Sequence, residues 1–185
     1  PRFRYSLYNY FMDKETNSIY KGVASIKYLN EGSATYLYSL KDDKFDSFTD
    51  LLYKIEEDRI VNSRQLKILI QLQFFQEFGN NKKLLTIYNY FKVLYGRKVL
   101  SKDKAKELNI PSYIFEQDGV TQTEKQYKFE NIYDILKLIE HNTPNESFGI
   151  KEQVEFENDA LGYINMTYDV DKRVCYVLDI DTKYT

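Results

Sequence analysis

The sequence predicts a mainly α fold with a small β component: a β-hairpin at the N-terminus and a short strand near the C-terminus. Between residues 33 and 162, apolar residues recur at the spacing of helices that bury one face. The first twenty residues instead alternate loosely and break at a polar turn. With 185 residues, 43% apolar and 29% charged, there is material for one domain, or two small ones, with a genuine core.

Phe3 to Phe11, the turn material Asp13–Ser18 and the resumed run at Ile19 and Tyr20 predict the hairpin. Ser33–Leu40 suits a short helix. Ser47, with Asp50 three residues on, forms a capping pattern ahead of Phe48, Leu51, Leu52 and Ile55. Ser63 is the expected cap of the next helix, whose apolar face is Leu66, Leu69 and Ile70. Gly79-Asn80-Asn81 breaks the chain before a strong helix carrying Leu84, Ile87, Tyr88, Phe91 and Leu94, which stops at Gly96. Ser101 is placed to cap a short helix ending before Pro111, and residues 112–128 read as a loop. Ile132, Ile135, Leu136 and Ile139 predict a helix closed by Pro144, and residues 149–162 another, with Val154 and Leu161 on one stripe. Val174–Ile180 is β-rich. The expected core is Phe48, Leu52, Leu69, Ile70, Ile87 and Phe91.

Composition narrows the function classes. One cysteine, Cys175, excludes an internal disulfide, and with a single histidine, His141, a Cys/His zinc site is impossible. No apolar run approaches the ~20 residues of a membrane span, so the sequence reads as a soluble chain with no membrane partner. A start at Pro1 and an end at Thr185, just after the β-rich run, read as a piece of something longer. Eighteen tyrosines and twelve phenylalanines without tryptophan fit the bias of an AT-rich genome. These rings can stack on bases, but most fall at helical or strand spacing, where core packing explains them.

The net charge of −2 conceals an asymmetry. Residues 1–110 hold 19 Lys+Arg against 13 Asp+Glu, while residues 111–185 hold 7 against 15. Residues 59–98 carry Arg59, Arg64, Lys67, Lys82, Lys83, Lys92, Arg97 and Lys98 against Glu77 alone. That is the electrostatic footprint of a phosphate binder.

Three segments carry a family resemblance: Ile19-Tyr-Lys-Gly-Val-Ala-Ser-Ile-Lys-Tyr-Leu-Asn-Glu-Gly32, Val61-Asn-Ser-Arg-Gln-Leu-Lys-Ile-Leu-Ile-Gln-Leu-Gln-Phe-Phe-Gln-Glu-Phe-Gly79, and Glu157-Asn-Asp-Ala-Leu-Gly-Tyr163. In order, they resemble the paired helix-hairpin-helix region in the fingers of C-family bacterial replicative polymerases, the DNA polymerase III alpha subunit, and the element that leads out of it. The resemblance implies tandem helix-hairpin-helix units over 23–110, after the hairpin at 1–22, then an acidic helical region at 111–165 and the start of a β-rich segment at 166–185. It implies sequence-independent binding of duplex DNA by a bacterial cytoplasmic protein, with the remainder of a polymerase chain as partner. No cofactor is expected in this fragment, since Mg²⁺ belongs to the parent's palm. The fragment itself is expected to be non-catalytic. The parent would carry out template-directed nucleotidyl transfer in DNA replication.

Such hairpins present backbone N–H groups at a helix start to duplex phosphates, aided by the helix dipole and nearby cations. The candidate DNA-binding residues are Lys27, Asn30 and Gly32 in the first hairpin, Arg64 beside it, and Gly79, Asn80, Asn81, Lys82 and Lys83 in the second. The sequence departs from the family at two turns. Tyr28-Leu29-Asn30 stands where the family has Gly-x-Gly, and Gln73-Phe74-Phe75 where it has Gly-Ala-Phe. Lost glycines remove positions that readily adopt positive φ, and a bulky Tyr28 opposes close approach of a phosphate. A structural or protein-interaction module that has lost DNA binding is therefore the alternative function.

Other features need no chemistry. Asp169/Asp171 and Asp179/Asp181 resemble paired metal-binding carboxylates, but palm carboxylates precede the fingers in this family, and alternate exposed residues on a strand explain the pairs. His141 suits the negative end of a helix. Cys175 suits a buried strand position.

Overall fold

The computed structural model describes residues 1–164. The expected strand at Val174–Ile180, Cys175 and both Asp pairs lie outside them. The described residues form seven α-helices and two small antiparallel sheets.

The N-terminal hairpin is shorter than its aromatic run. β1 (Phe11–Asp13) pairs antiparallel with β2 (Ser18–Tyr20), with Phe11 opposite Tyr20, and the Asp13 carboxylate closes the turn by accepting from the Glu15 N–H and the Thr16 hydroxyl. Residues 3–10, expected as strand, are irregular because Phe3 leaves the run for the core. It is buried, its N–H donates to the Phe74 carbonyl at 2.9 Å, and its ring lies 5.5 Å from that of Phe75.

Four helices follow: α1 (Glu31–Ser39), α2 (Phe48–Asp58), α3 (Ser63–Gln71) and α4 (Asn81–Leu94). Ser47 caps α2 as expected, accepting from the Asp50 N–H. The cap of α3 is Asn62 rather than Ser63. Asn62 Oδ1 accepts from the N–H groups of Arg64 and Gln65, while the Gln65 side chain accepts from the Asn62 N–H. This reciprocal pair satisfies donors that a serine one residue later would leave open. All six expected core residues are buried, at 0–2% exposure.

Residues 112–128 are not a loop. β3 (Val99–Ser101), β4 (Val120–Gln122) and β5 (Gln126–Phe129) form an antiparallel sheet in the order β3-β5-β4, joined through α5 (Lys102–Glu107) and a 3₁₀ turn at Ser112–Phe115. Its nucleus is the Phe115 ring stacked 4.0 Å from Tyr127. α6 (Ile132–Asn142) packs on α2 and α4, with His141 exposed in its last turn, and α7 (Ile150–Leu161) packs on α3.

A polar clamp fixes α6 to α2. Asp50 accepts from the Tyr133 hydroxyl at 2.5 Å and from Lys137 Nζ at 3.0 Å. Burial pushes the Asp50 carboxyl up, but hydrogen bonds from Tyr133, Lys137 and Ser47 outweigh it, and the group is held below its ordinary value of 3.8. The unfolded chain therefore takes up the proton first, so this contribution is complete above about pH 4 and is lost as the pH falls through the folded-state value. Urea midpoints measured from pH 7 down to pH 2.5 should show Asp50→Asn less stable at neutrality and less sensitive to acid.

Candidate nucleic-acid interface

The first hairpin starts at Gly22, where the backbone of Tyr8 and Asn9 fills the space a Cβ would need. Val23, Ile26 and Leu29 then bury themselves at three-residue intervals, each turn closed by an i to i+3 bond: Ile26 N–H to Val23 at 3.0 Å and Leu29 N–H to Ile26 at 3.2 Å. That winding leaves Lys27, Tyr28 and Asn30 outside. Asn30 caps α1 by accepting from the Ser33 N–H at 2.9 Å. The turn that meets the first hairpin is the one from α2 to α3, rather than the Gly79–Lys83 turn expected as the second hairpin; in it Arg59 sits in the left-handed region (φ 54°), Val61 is buried and Asn62 caps α3.

A buried polar knot joins the two tips. Gln65, 2% exposed, accepts through Oε1 from the Asn62 N–H and the Ser33 hydroxyl, both at 3.0 Å, and donates through Nε2 to the Tyr28 carbonyl at 2.9 Å. Outside the knot, the Arg64 guanidinium lies 3.4 Å from the centre of the Tyr28 ring. Lys27, Tyr28, Arg64 and Lys67 line a cleft of about 510 Å³, closed on its far side by Phe156 and Asp159 of α7. The Lys27 N–H donates to the Ala160 carbonyl at 2.9 Å, which fixes α7 to the first tip. Among the described residues, the N–H groups of Glu31, Gly32 and Ser63 have no acceptor within the chain. Two helix starts with free donors and exposed cations thus share one end of the molecule, an arrangement suited to bridging phosphate oxygens.

The structure brings Lys27, Asn30, Gly32 and Arg64 together there. Gly79–Lys83 lies at the other end of α3, about 13 Å away along a nine-residue helix. Part of its donor set is engaged within the chain: the Asn80 N–H with Asn145 Oδ1 at 2.8 Å, the Lys83 N–H with the Glu146 carbonyl at 3.2 Å, and Lys82 Nζ with the Glu146 carboxylate at 2.7 Å, whereas among the described residues the N–H groups of Asn81 and Lys82 have no acceptor within the chain. Asn81 is buried between the Gln71 carbonyl and the Phe148 N–H. Sequence reasoning missed Gln65 and Ser33, and it read Lys67 only as part of the basic segment 59–98. The Asn62-x-x-Gln65 spacing is the signal that could have found Gln65, whereas Ser33 meets it only through the fold.

Two turns hold a non-glycine residue in the left-handed conformation that glycine favours, with φ 71° at Tyr28 and 59° at Gln73. Among the described residues, no group of three or more His, Cys, Asp or Glu could hold a metal ion. No helix among them is long and apolar enough to cross a membrane.

Residues 2–85 match the family model of a helix-hairpin-helix motif, a motif generally associated with nucleic-acid binding. No curated protein matches the chain.

Proposed function

We propose that the joined tips bind duplex DNA without reading its sequence, and that the chain is a non-catalytic part of a DNA polymerase III alpha-like protein of the bacterial cytoplasm. The observation that carries this reading is the convergence of two helix starts with the cations Lys27, Arg64 and Lys67. The N–H groups and helix dipoles would hold phosphate oxygens, and the three cations would replace condensed counterions. Left-handed Tyr28 and Gln73, at the family's glycine positions, support the polymerase resemblance. Nucleotidyl transfer and its Mg²⁺ would belong to the palm of the parent.

Fluorescence anisotropy with labelled duplexes of unrelated sequence tests the reading. Binding should be micromolar, equal across sequences and steeply salt-dependent. Joint replacement of Lys27, Arg64 and Lys67 by alanine should weaken it at least tenfold and flatten the salt slope by about 0.9 per lost phosphate contact. Lys82→Ala should change Kd less than twofold, because that ammonium already faces Glu146. A chain that binds no duplex even at low salt would overturn the reading.

The engagement of Gly79–Lys83 by Asn145 and Glu146 favours a second reading, a protein-interaction module that keeps the scaffold and has lost the grip on DNA. Absence of duplex binding in the same titration would leave that one standing.

A further inference from the structure

Tyr28 is placed as a reader of broken base stacks rather than as a filler of its turn. It occupies a left-handed backbone position, φ 71°, which opposes a large side chain. It nevertheless keeps 55% of its surface exposed. One face of the ring is covered by Arg64 at 3.4 Å, and among the described residues no other aromatic ring packs against it. Its carbonyl is held by buried Gln65, so the backbone under the ring is fixed. Lys27 and Lys67 line the same cleft, with Asp159 on its α7 side. An aromatic plane on a rigid turn, backed by a guanidinium and sharing its cleft with two lysines, has the chemistry of a stacking platform for a nucleobase.

Resting on the duplex-binding reading, we infer that Tyr28 stacks on the base exposed where a duplex ends or passes into single strand, with Arg64 behind it, so that the hairpins prefer such a junction to continuous duplex. A continuous helix offers no free base face, so the ring would gain nothing there. At a junction the terminal base is unstacked on one side, and the phosphates beside it remain within the field of Lys27 and Lys67.

The 185-residue chain should be titrated with two labelled DNAs of equal charge, a hairpin-capped continuous duplex and a duplex with a single-stranded overhang carrying 2-aminopurine at the junction. The wild type should bind the junction about tenfold more tightly and quench the 2-aminopurine. Tyr28→Phe should retain both effects. Tyr28→Leu should abolish the preference and the quenching. Tyr28→Gly, which removes the ring and suits the backbone, should behave like Tyr28→Leu and guards against a misfolded variant. Equal preference in wild type and Tyr28→Leu would overturn the inference while the duplex-binding reading stood. Failure of wild type to bind either DNA would overturn both.

Discussion

Gln65→Ala is expected to lower stability by about 2–3 kcal/mol, because it leaves the Asn62 N–H and the Tyr28 carbonyl without partners, leaves the Ser33 hydroxyl only its 3.5 Å bond to the Ile60 carbonyl, and opens a small cavity. The urea midpoint should fall with little change in slope, since the surface exposed on unfolding is almost unchanged. Gln65→Glu separates the contacts. A carboxylate preserves the acceptor facing Asn62 and Ser33 but presents a second oxygen to the Tyr28 carbonyl. It should therefore destabilise mainly the first tip. If the knot does no more than fill space, Gln65→Leu will match the wild type. If it aligns the hairpins, Gln65→Leu will also weaken duplex binding under conditions in which the chain remains folded.

Glu140→Ala is expected to cost more, about 3 kcal/mol, through the buried start of α2. The Glu140 carboxylate accepts from the N–H groups of Phe48 and Thr49, each at 2.8 Å, and from the Thr49 hydroxyl at 2.5 Å. Phe48 and Thr49 are fully buried, so water cannot replace these bonds. The anion also lies at the positive end of the α2 dipole. Glu140→Gln keeps one acceptor but turns an amide N–H₂ toward a donor, and should cost a smaller amount. Thermal and urea unfolding of the three proteins at pH 7 would check the order. Equal stability of wild type and Glu140→Ala would show that the carboxylate does not hold α2.

These two side chains also mark where the sequence could be read and where it could not. Ser47 and the Leu51, Leu52 and Ile55 stripe announce α2, because capping and helical periodicity are local. Asn62 and Ser63 are adjacent residues that can both cap, and the choice between them depends on Gln65 reaching back three positions. Glu140 caps α2 from more than ninety residues away, which no local pattern reveals. β3, β4 and β5 are only three or four residues long, too short to establish a period of two, and their pairing depends on Phe115 meeting Tyr127. At the candidate site, the charge of residues 59–98 was legible, but its division was not. Only the fold puts Arg64 and Lys67 on the open cleft and seats Asn145 and Glu146 on the Gly79–Lys83 turn.

The bond from Lys27 to Ala160 has a consequence for synthesis on the ribosome. The α7 side of the cleft comes from a segment translated more than eighty residues after the rest of its lining. Local helices such as α2 and α3 can form as they emerge, whereas closing so long a loop waits until α7 has left the exit tunnel. During elongation the basic tips are thus on display beside a nascent chain that lacks Asp159, and their full geometry is reached only as the last described helix docks. A protein truncated before residue 150 should retain the cations of the tips and lose the wall that confines them.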